Sequence, residues 1–307
     1  MVKENTHLFA AERILHLIKA ADIRKLIERN RKSYHLGATI PDAFFYSYNN
    51  NIKKISGILH GKQGNLTNDF IFQALDNARK SRNLPDLAFI MGYLSHCALD
   101  ITFHPVIYYY TGNHRDGSID IRKATYLHWH YETYLDAKWN DRFYIENLID
   151  ASLIDRLHFF DIISNSMNVP KEGIIRAVKN QKFLNKLFRS GLVYQLVRFA
   201  KFLHLTDETP MGIFYGNLDR EKIKLDQELV YRDTVSGDGK KTTLDSLLDE
   251  ACSLGERMIR SAYDYYTGAI ERKQCLRVIS GKSLATGKLK IPVREIRFTR
   301  FSGIDPL

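Results

Sequence analysis

The stretch GYLSHCALDITFHP, residues 92–105, sets His96, Asp100 and His104 at intervals of four inside an otherwise apolar run. Residues four apart are helix neighbours about 5–6 Å apart at Cβ, and three in succession share an arc of about 80°. Ile90, Met91, Tyr93, Leu94, Cys97, Ala98, Leu99, Ile101 and Phe103 leave such a helix little polar face. It belongs at the centre of a helical bundle, with a carboxylate inside. That burial costs several kcal/mol unless a cation or strong donors satisfy Asp100.

A second pair at the same spacing, His128 and Glu132, lies in HWHYETYLD, where Leu127, Tyr131, Leu135 and Trp139 turn its side inward. One such pair reads most simply as a structural hydrogen bond. Two pairs, in a chain that places nine of its eleven histidines within the first 130 residues, point to a metal site. Histidine is the commonest protein ligand of zinc. His7, Asp42 and His60 carry less information singly. His7 shares an apolar helix face with Ala11, Ile14, Leu15 and Ile18, Asp42 follows Pro41 in an apparent loop, and His60 sits near a helix end. His16, His35, His114, His130, His158 and His204 lack acidic partners at helical spacing and read as structural or exposed.

Helical periodicity dominates the rest of the chain. Asn5 or Thr6 is positioned to cap the first helix. Residues 35–48 are aperiodic, with Gly37 and Pro41 marking a loop. Residues 70–79 read as a helix, and Pro85 suits the first turn of the next. That helix is expected to end near His104, because Pro105 disfavours helical geometry in the residue before it. Asp120 caps a further helix, and 143–166, 170–178, 181–203 and 243–270 fit others. VSGDGKK, 235–241, reads as a hairpin turn, and 289–298 as a short edge strand or a surface wrap. The expectation is an all-α multi-helix bundle, one domain over 1–270 with a basic extension over 271–307.

At 307 residues the chain can bury a large core, and its mean hydropathy of −0.30 fits a soluble protein. No apolar run reaches membrane-spanning length, and the first residues lack a signal-peptide pattern. Three scattered cysteines support neither a disulfide framework nor a thiolate zinc site, so a cytoplasmic protein with reduced thiols is expected. The net charge is +10, and the last 37 residues hold nine Lys/Arg against Glu271, Glu295 and Asp305. Such a tail can meet nucleic acid or an anionic membrane surface. There is no His-Asp dipeptide and no GxSxG elbow, and SGKSLATGKL departs from a P-loop in spacing and in Leu289.

In order, THLFAAERIL, LGATIPD, ILHGK, GYLSHCALDITFHP and HWHYETYLD resemble the zinc-dependent phospholipase C family over roughly residues 5–140, and 230–251 is similar to its bacterial members. The resemblance implies an all-α domain holding two or three Zn2+ ions. By that match His60, His96 and Asp100 bind one ion, and His104, His128 and Glu132 a second. His7 serves a third bridged by Asp100, and Asp42 acts on the attacking water. Secreted members give the third zinc a processed N-terminal residue, whereas Met1 and Val2 here stand five or six residues before His7. They also carry an aromatic directly after the aspartate, where this chain has Ala43 followed by Phe44, Phe45 and Tyr46. Phosphatidylcholine specificity is therefore not implied. The expected function is phosphodiester hydrolysis with a metal-activated water, on a phospholipid headgroup or, as in the related single-strand nucleases, on nucleic acid. The alternatives are a structural zinc cluster without catalysis, and a tail-driven binding module with a vestigial site.

Overall fold

The computed structural model describes residues 3–113, 119–140, 142–218 and 228–303. Helices dominate it. In chain order they are α1 (Glu4–Leu17), α2 (Ala21–Arg29), α3 (Arg31–Ala43), α4 (Asn50–Leu59), α5 (Asp69–Ser81), α6 (Leu84–Thr111) and α7 (Ile121–Trp139). They continue as α8 (Ile145–Leu148), α9 (His158–Met167), α10 (Lys171–Phe188), α11 (Gly191–Phe202), α12 (Leu244–Thr267) and α13 (Arg272–Val278). The expected hairpin is present: β1 (Leu229–Arg232) pairs antiparallel with β2 (Gly239–Thr242), and Gly237 takes φ +82° in the turn.

The long apolar helix is central, as its composition requires. α6 spans 28 residues and is buried without a break from Asp86 to Asp100, with α1, α3, α5, α7 and α12 packed around it. It does not stop at His104. The missing N–H at Pro105 removes one backbone hydrogen bond, but Val106, Ile107, Tyr108 and Tyr109 are all buried by continuing the helix. Gly112 then closes it, its N–H donating to Tyr108 O.

The expected loop at 35–48 is also corrected. α3 runs through Gly37 and Pro41 to Ala43 and passes into a 3-10 turn over Phe44–Tyr46, so Asp42 sits in the last helical turn. Tertiary packing overrides local propensity here, because every residue from Ser33 to Phe44 is buried. The glycine has a specific task. A Cβ at Gly37 would lie 2.0 Å from Phe89 O, and one at Gly92 would lie 1.9 Å from Tyr34 O. α3 and α6 therefore touch backbone to backbone, a distance only glycine permits.

Other boundaries moved for local reasons. Asn5 and Thr6 do not cap α1, which starts after Lys3; both side chains donate to Asp136 of α7, at 3.1 and 2.7 Å. The 143–166 segment divides into α8, a 3-10 turn over Ala151–Asp155 and α9. The helix expected to begin at 181 belongs to α10, and Ser190 caps α11 instead. Residues 289–298 form no strand and wrap the surface: Val293 N donates to Lys62 O, and Arg297 N to Thr234 O. The basic segment after α13 thus packs back on the bundle, burying Leu284, Ala285, Val293 and Ile296.

The α3–α6 contact yields a test. Gly92→Ala is expected to lower the unfolding free energy by about 3 kcal/mol through overpacking, read by urea unfolding. Gly57→Ala, where a Cβ meets nothing within 4 Å, is expected to be neutral or stabilising by up to about 1 kcal/mol. Equal effects of the two substitutions would contradict the close approach.

Candidate metal centre

Five side chains meet where α1, α3, α4 and α6 converge. His7 comes from α1, Asp42 from the end of α3, His60 from the residue after α4, and His96 and Asp100 from successive turns of α6. None is more than 1% exposed. His7 and His96 stack at 3.8 Å between ring centroids.

The histidines are held by backbone carbonyls. His60 Nδ1 donates to Ser56 O at 2.7 Å, His96 Nδ1 to Ala38 O at 3.0 Å, and His104 Nδ1 to Leu284 O at 2.7 Å. Each bond fixes the tautomer with hydrogen on Nδ1 and leaves the Nε2 lone pair pointing inward. The Ala38 carbonyl reaches His96 because α3 and α6 touch at Gly37 and Gly92.

The inward atoms have no ordinary partners. Both nitrogens of His7, Nε2 of His60, His96 and His104, and both oxygens of Asp42 and Asp100 are buried without a hydrogen bond. Instead they face one another. His60 Nε2 lies 3.1 Å from Asp42 Oδ1 and 3.4 Å from Asp100 Oδ2, and His96 Nε2 lies 3.8 and 3.2 Å from the same oxygens. His7 Nε2 is 3.6 Å from Asp42 Oδ2 and 3.4 Å from Asp100 Oδ1. Four donors set tetrahedrally at zinc–ligand distances of about 2.0–2.1 Å stand about 3.3 Å apart, so the donors are spaced as co-ligands. The all-nitrogen-and-oxygen donor set suits zinc as well. Both carboxylates present one oxygen to His60 and His96 and the other to His7.

A second group lies one turn along α6. His104 Nε2 faces Glu132 Oε1 at 3.9 Å, and His128 Nε2 lies 3.2 Å from the same oxygen. Asp120 accepts from Arg122 N and Lys123 N to start α7, which brings His128 and Glu132 onto the α6 side. Asp100 Oδ2 is 3.6 Å from His104 Nδ1, so the two groups adjoin. Among the described residues, three sets offer donor atoms within 4.8 Å of one another: His7, His96 and Asp100; Asp42, His60 and His96; His104, His128 and Glu132. The first two share His96, whose Nδ1 is already committed.

Electrostatics follow the crowding. Burial would raise Asp42 and Asp100, but the facing histidines hold both carboxyls below the usual range, His96 foremost for Asp42 and His104 followed by His96 for Asp100. Burial works against a charged His96, yet Asp100 and Asp42 raise it. Burial lowers His7, and lowers His104 to about 3. It also lifts Glu132 to about 8.

A cavity of about 460 Å³ opens over this floor, lined by Asp42, His128 and Glu132 together with Lys53, Lys62, Phe45, Tyr46, Tyr108, Trp129, Phe188 and Ile213. Of the aromatics that follow Ala43, Phe44 is buried in the core, whereas Phe45 and Tyr46 reach the cavity. Lys62 Nζ lies 4.6 Å from the Phe45 ring centroid. Lys3 and Glu4 also line the cavity and carried no sequence signal. Glu4 is buried and accepts from Tyr46 OH at 2.5 Å. Burial lowers Lys3 to about 8, with its Nζ donating to Ile213 O at 2.6 Å.

The remaining histidines stay out of the centre. His35 bonds Glu12 at 2.6 Å and His158 bonds Asp86 at 2.6 Å, both across helices, which spacing along one helix does not reveal. His130 stacks on Tyr126, and His16 and His204 are exposed. His114, and the Met1 and Val2 considered for a third zinc, lie outside the described residues.

The family model described as zinc-dependent phospholipase C matches residues 6–184, more than half the chain and a span that includes all eight residues of the centre. No curated protein and no solved structure matches the chain.

Proton competition follows from the Glu132 shift. Below about pH 8 the metal-free carboxyl holds its proton, which an incoming cation must displace, and the raised His96 adds a second competitor. Zinc affinity is therefore expected to fall about tenfold or more per unit as pH drops from about 8 to 6. Competition against a chromophoric chelator measures it, and a pH-independent affinity would contradict the assignment.

Proposed function

Because the chain belongs to the zinc-dependent phospholipase C family, we propose that it hydrolyses a phosphodiester, a phospholipid headgroup ester, at the floor of this cavity. The observation that carries the reading is the convergence of buried nitrogen and oxygen donors, with the inward atoms of His7, Asp42, His60, His96 and Asp100 lacking hydrogen bonds, beneath a cavity that also presents lysines and apolar walls. A purely structural metal cluster would have no need of an adjoining cavity.

In this reading His60, His96, Asp42 and Asp100 hold one ion and His104, His128 and Glu132 a second. His7, facing the other oxygens of Asp42 and Asp100, marks a third position. Clustered divalent cations supply Lewis acidity, lowering the pKa of a water and neutralising phosphoryl charge. The chain's own groups do the rest. Asp42 lies between the histidine cluster and the cavity, where, kept ionised by the histidines, it accepts a hydrogen bond from the attacking water and aims it at phosphorus. Lys53 and Lys62 offer positive charge to the phosphate oxygens. Phe188, Ile213 and Trp129 form the apolar wall for the glycerol side of a lipid. The P–O bond to glycerol breaks, leaving a diacylglycerol and a phosphorylated headgroup.

Chelation, His96→Ala and His128→Ala are each expected to abolish hydrolysis of phosphatidylcholine or phosphatidylinositol, while His16→Ala, at an exposed position, retains it. Asp42→Asn is expected to lower kcat by about 10²-fold or more. Turnover indifferent to chelation and to both histidine substitutions would overturn the reading. Cleavage confined to single-stranded DNA would move the substrate to nucleic acid.

A further inference from the structure

α11 shows solvent a face that an ordinary surface helix would make polar. Leu192 is 73% exposed, Leu196 59%, Phe199 59%, Phe202 76% and Leu203 47%. At 100° per residue these five fall within about 120° of the helix circumference. Contiguous exposed apolar patches mark a binding surface on soluble proteins.

The surrounding charge identifies the partner. From Lys171 to Leu205 the chain carries eight Lys/Arg against the single acid Glu172. Arg176, Lys179, Lys186 and Arg198 of this segment are exposed, and of the acids just beyond it Glu208 pairs with Lys201, which leaves the region from Lys171 to Glu208 with eight Lys/Arg against three acids. An amphipathic helix with an apolar face and a basic surround lies in the plane of an anionic lipid surface. A second copy fits poorly, since a two-fold contact would set the same cationic segment against itself.

The inner face of α11 ties this surface to the candidate metal centre. Tyr194 packs on Phe214 at 6.1 Å between ring centroids, and Phe214 on Phe188 at 5.7 Å. Phe188 and Ile213 form part of the cavity wall, so one layer of side chains separates α11 from the cavity. We propose that α11 is a membrane-docking helix that inserts Leu192, Leu196, Phe199 and Phe202 into an anionic lipid surface and so sets the cavity beside its substrate. The role of the docking rests on the phospholipid reading; the docking itself does not.

The test uses the full chain and two readouts. Wild-type protein is expected to co-sediment with phosphatidylcholine vesicles containing phosphatidylglycerol, and less with phosphatidylcholine alone. Leu196→Asp with Phe199→Asp, both at exposed positions, is expected to weaken that partitioning about tenfold or more. The same variant is expected to hydrolyse a dispersed short-chain phospholipid as wild type does. Absence of wild-type partitioning, or equal partitioning of the variant, would overturn the proposal. So would a wild-type dimer in sedimentation equilibrium that the variant disperses, since the face would then belong to a second copy. Partitioning without any phospholipid hydrolysis would leave the docking standing and remove the phospholipase reading instead.

Discussion

Two helix backbones touch at Gly37 and Gly92, and the geometry of the centre follows from that contact. It brings the Ala38 carbonyl within 3.0 Å of His96 Nδ1 and sets Asp42, the last polar residue of α3, opposite His96 and His60. A side chain at either glycine would separate the helices. The imidazole would then lose its orienting acceptor, and Asp42 would leave the cluster.

The same contact creates an energetic demand. Asp42 and Asp100 are withdrawn from water, and no hydrogen bond reaches either carboxylate. Isolated buried charges are among the costliest features a fold can carry. His60, His96 and His104 place their Nδ1 hydrogens on backbone carbonyls, so in the neutral rings Nε2 is an acceptor turned inward, and both ring nitrogens of His7 lack a hydrogen bond. A ring of acceptors attracts cations. Metal binding and folding are coupled in such a site, because the ion satisfies groups that otherwise oppose burial. The basic segment beyond α13 takes part too, since Leu284 O fixes His104 and Leu284 N donates to His60 O.

The all-α class and the central helix were legible because His96, Asp100 and His104 repeat at helical spacing inside an apolar run. His128 and Glu132 were legible by the same rule. The family resemblance brought in His7, Asp42 and His60, whose convergence depends on four helices and so leaves no local trace. The boundaries expected at Pro41 and Pro105 share a cause: each proline loses a hydrogen bond locally, and burial of the flanking turns outweighs it. The carbonyl partners of His96 and His104 lie 58 and 180 residues away in the chain, and no spacing rule reaches them. Lys3 and Glu4 carry no motif or spacing of their own, and only the start of α1 beside the cavity brings them to it. The apolar face of α11 was hidden for the opposite reason, because a helix with leucines and phenylalanines reads as core until its neighbours are known.

Anomalous diffraction at the zinc edge from crystals of the zinc-loaded protein locates the ions themselves. One peak is expected among His60, His96, Asp42 and Asp100 and another among His104, His128 and Glu132. Zinc found elsewhere, or none bound while these residues keep their mutual distances, would contradict that assignment.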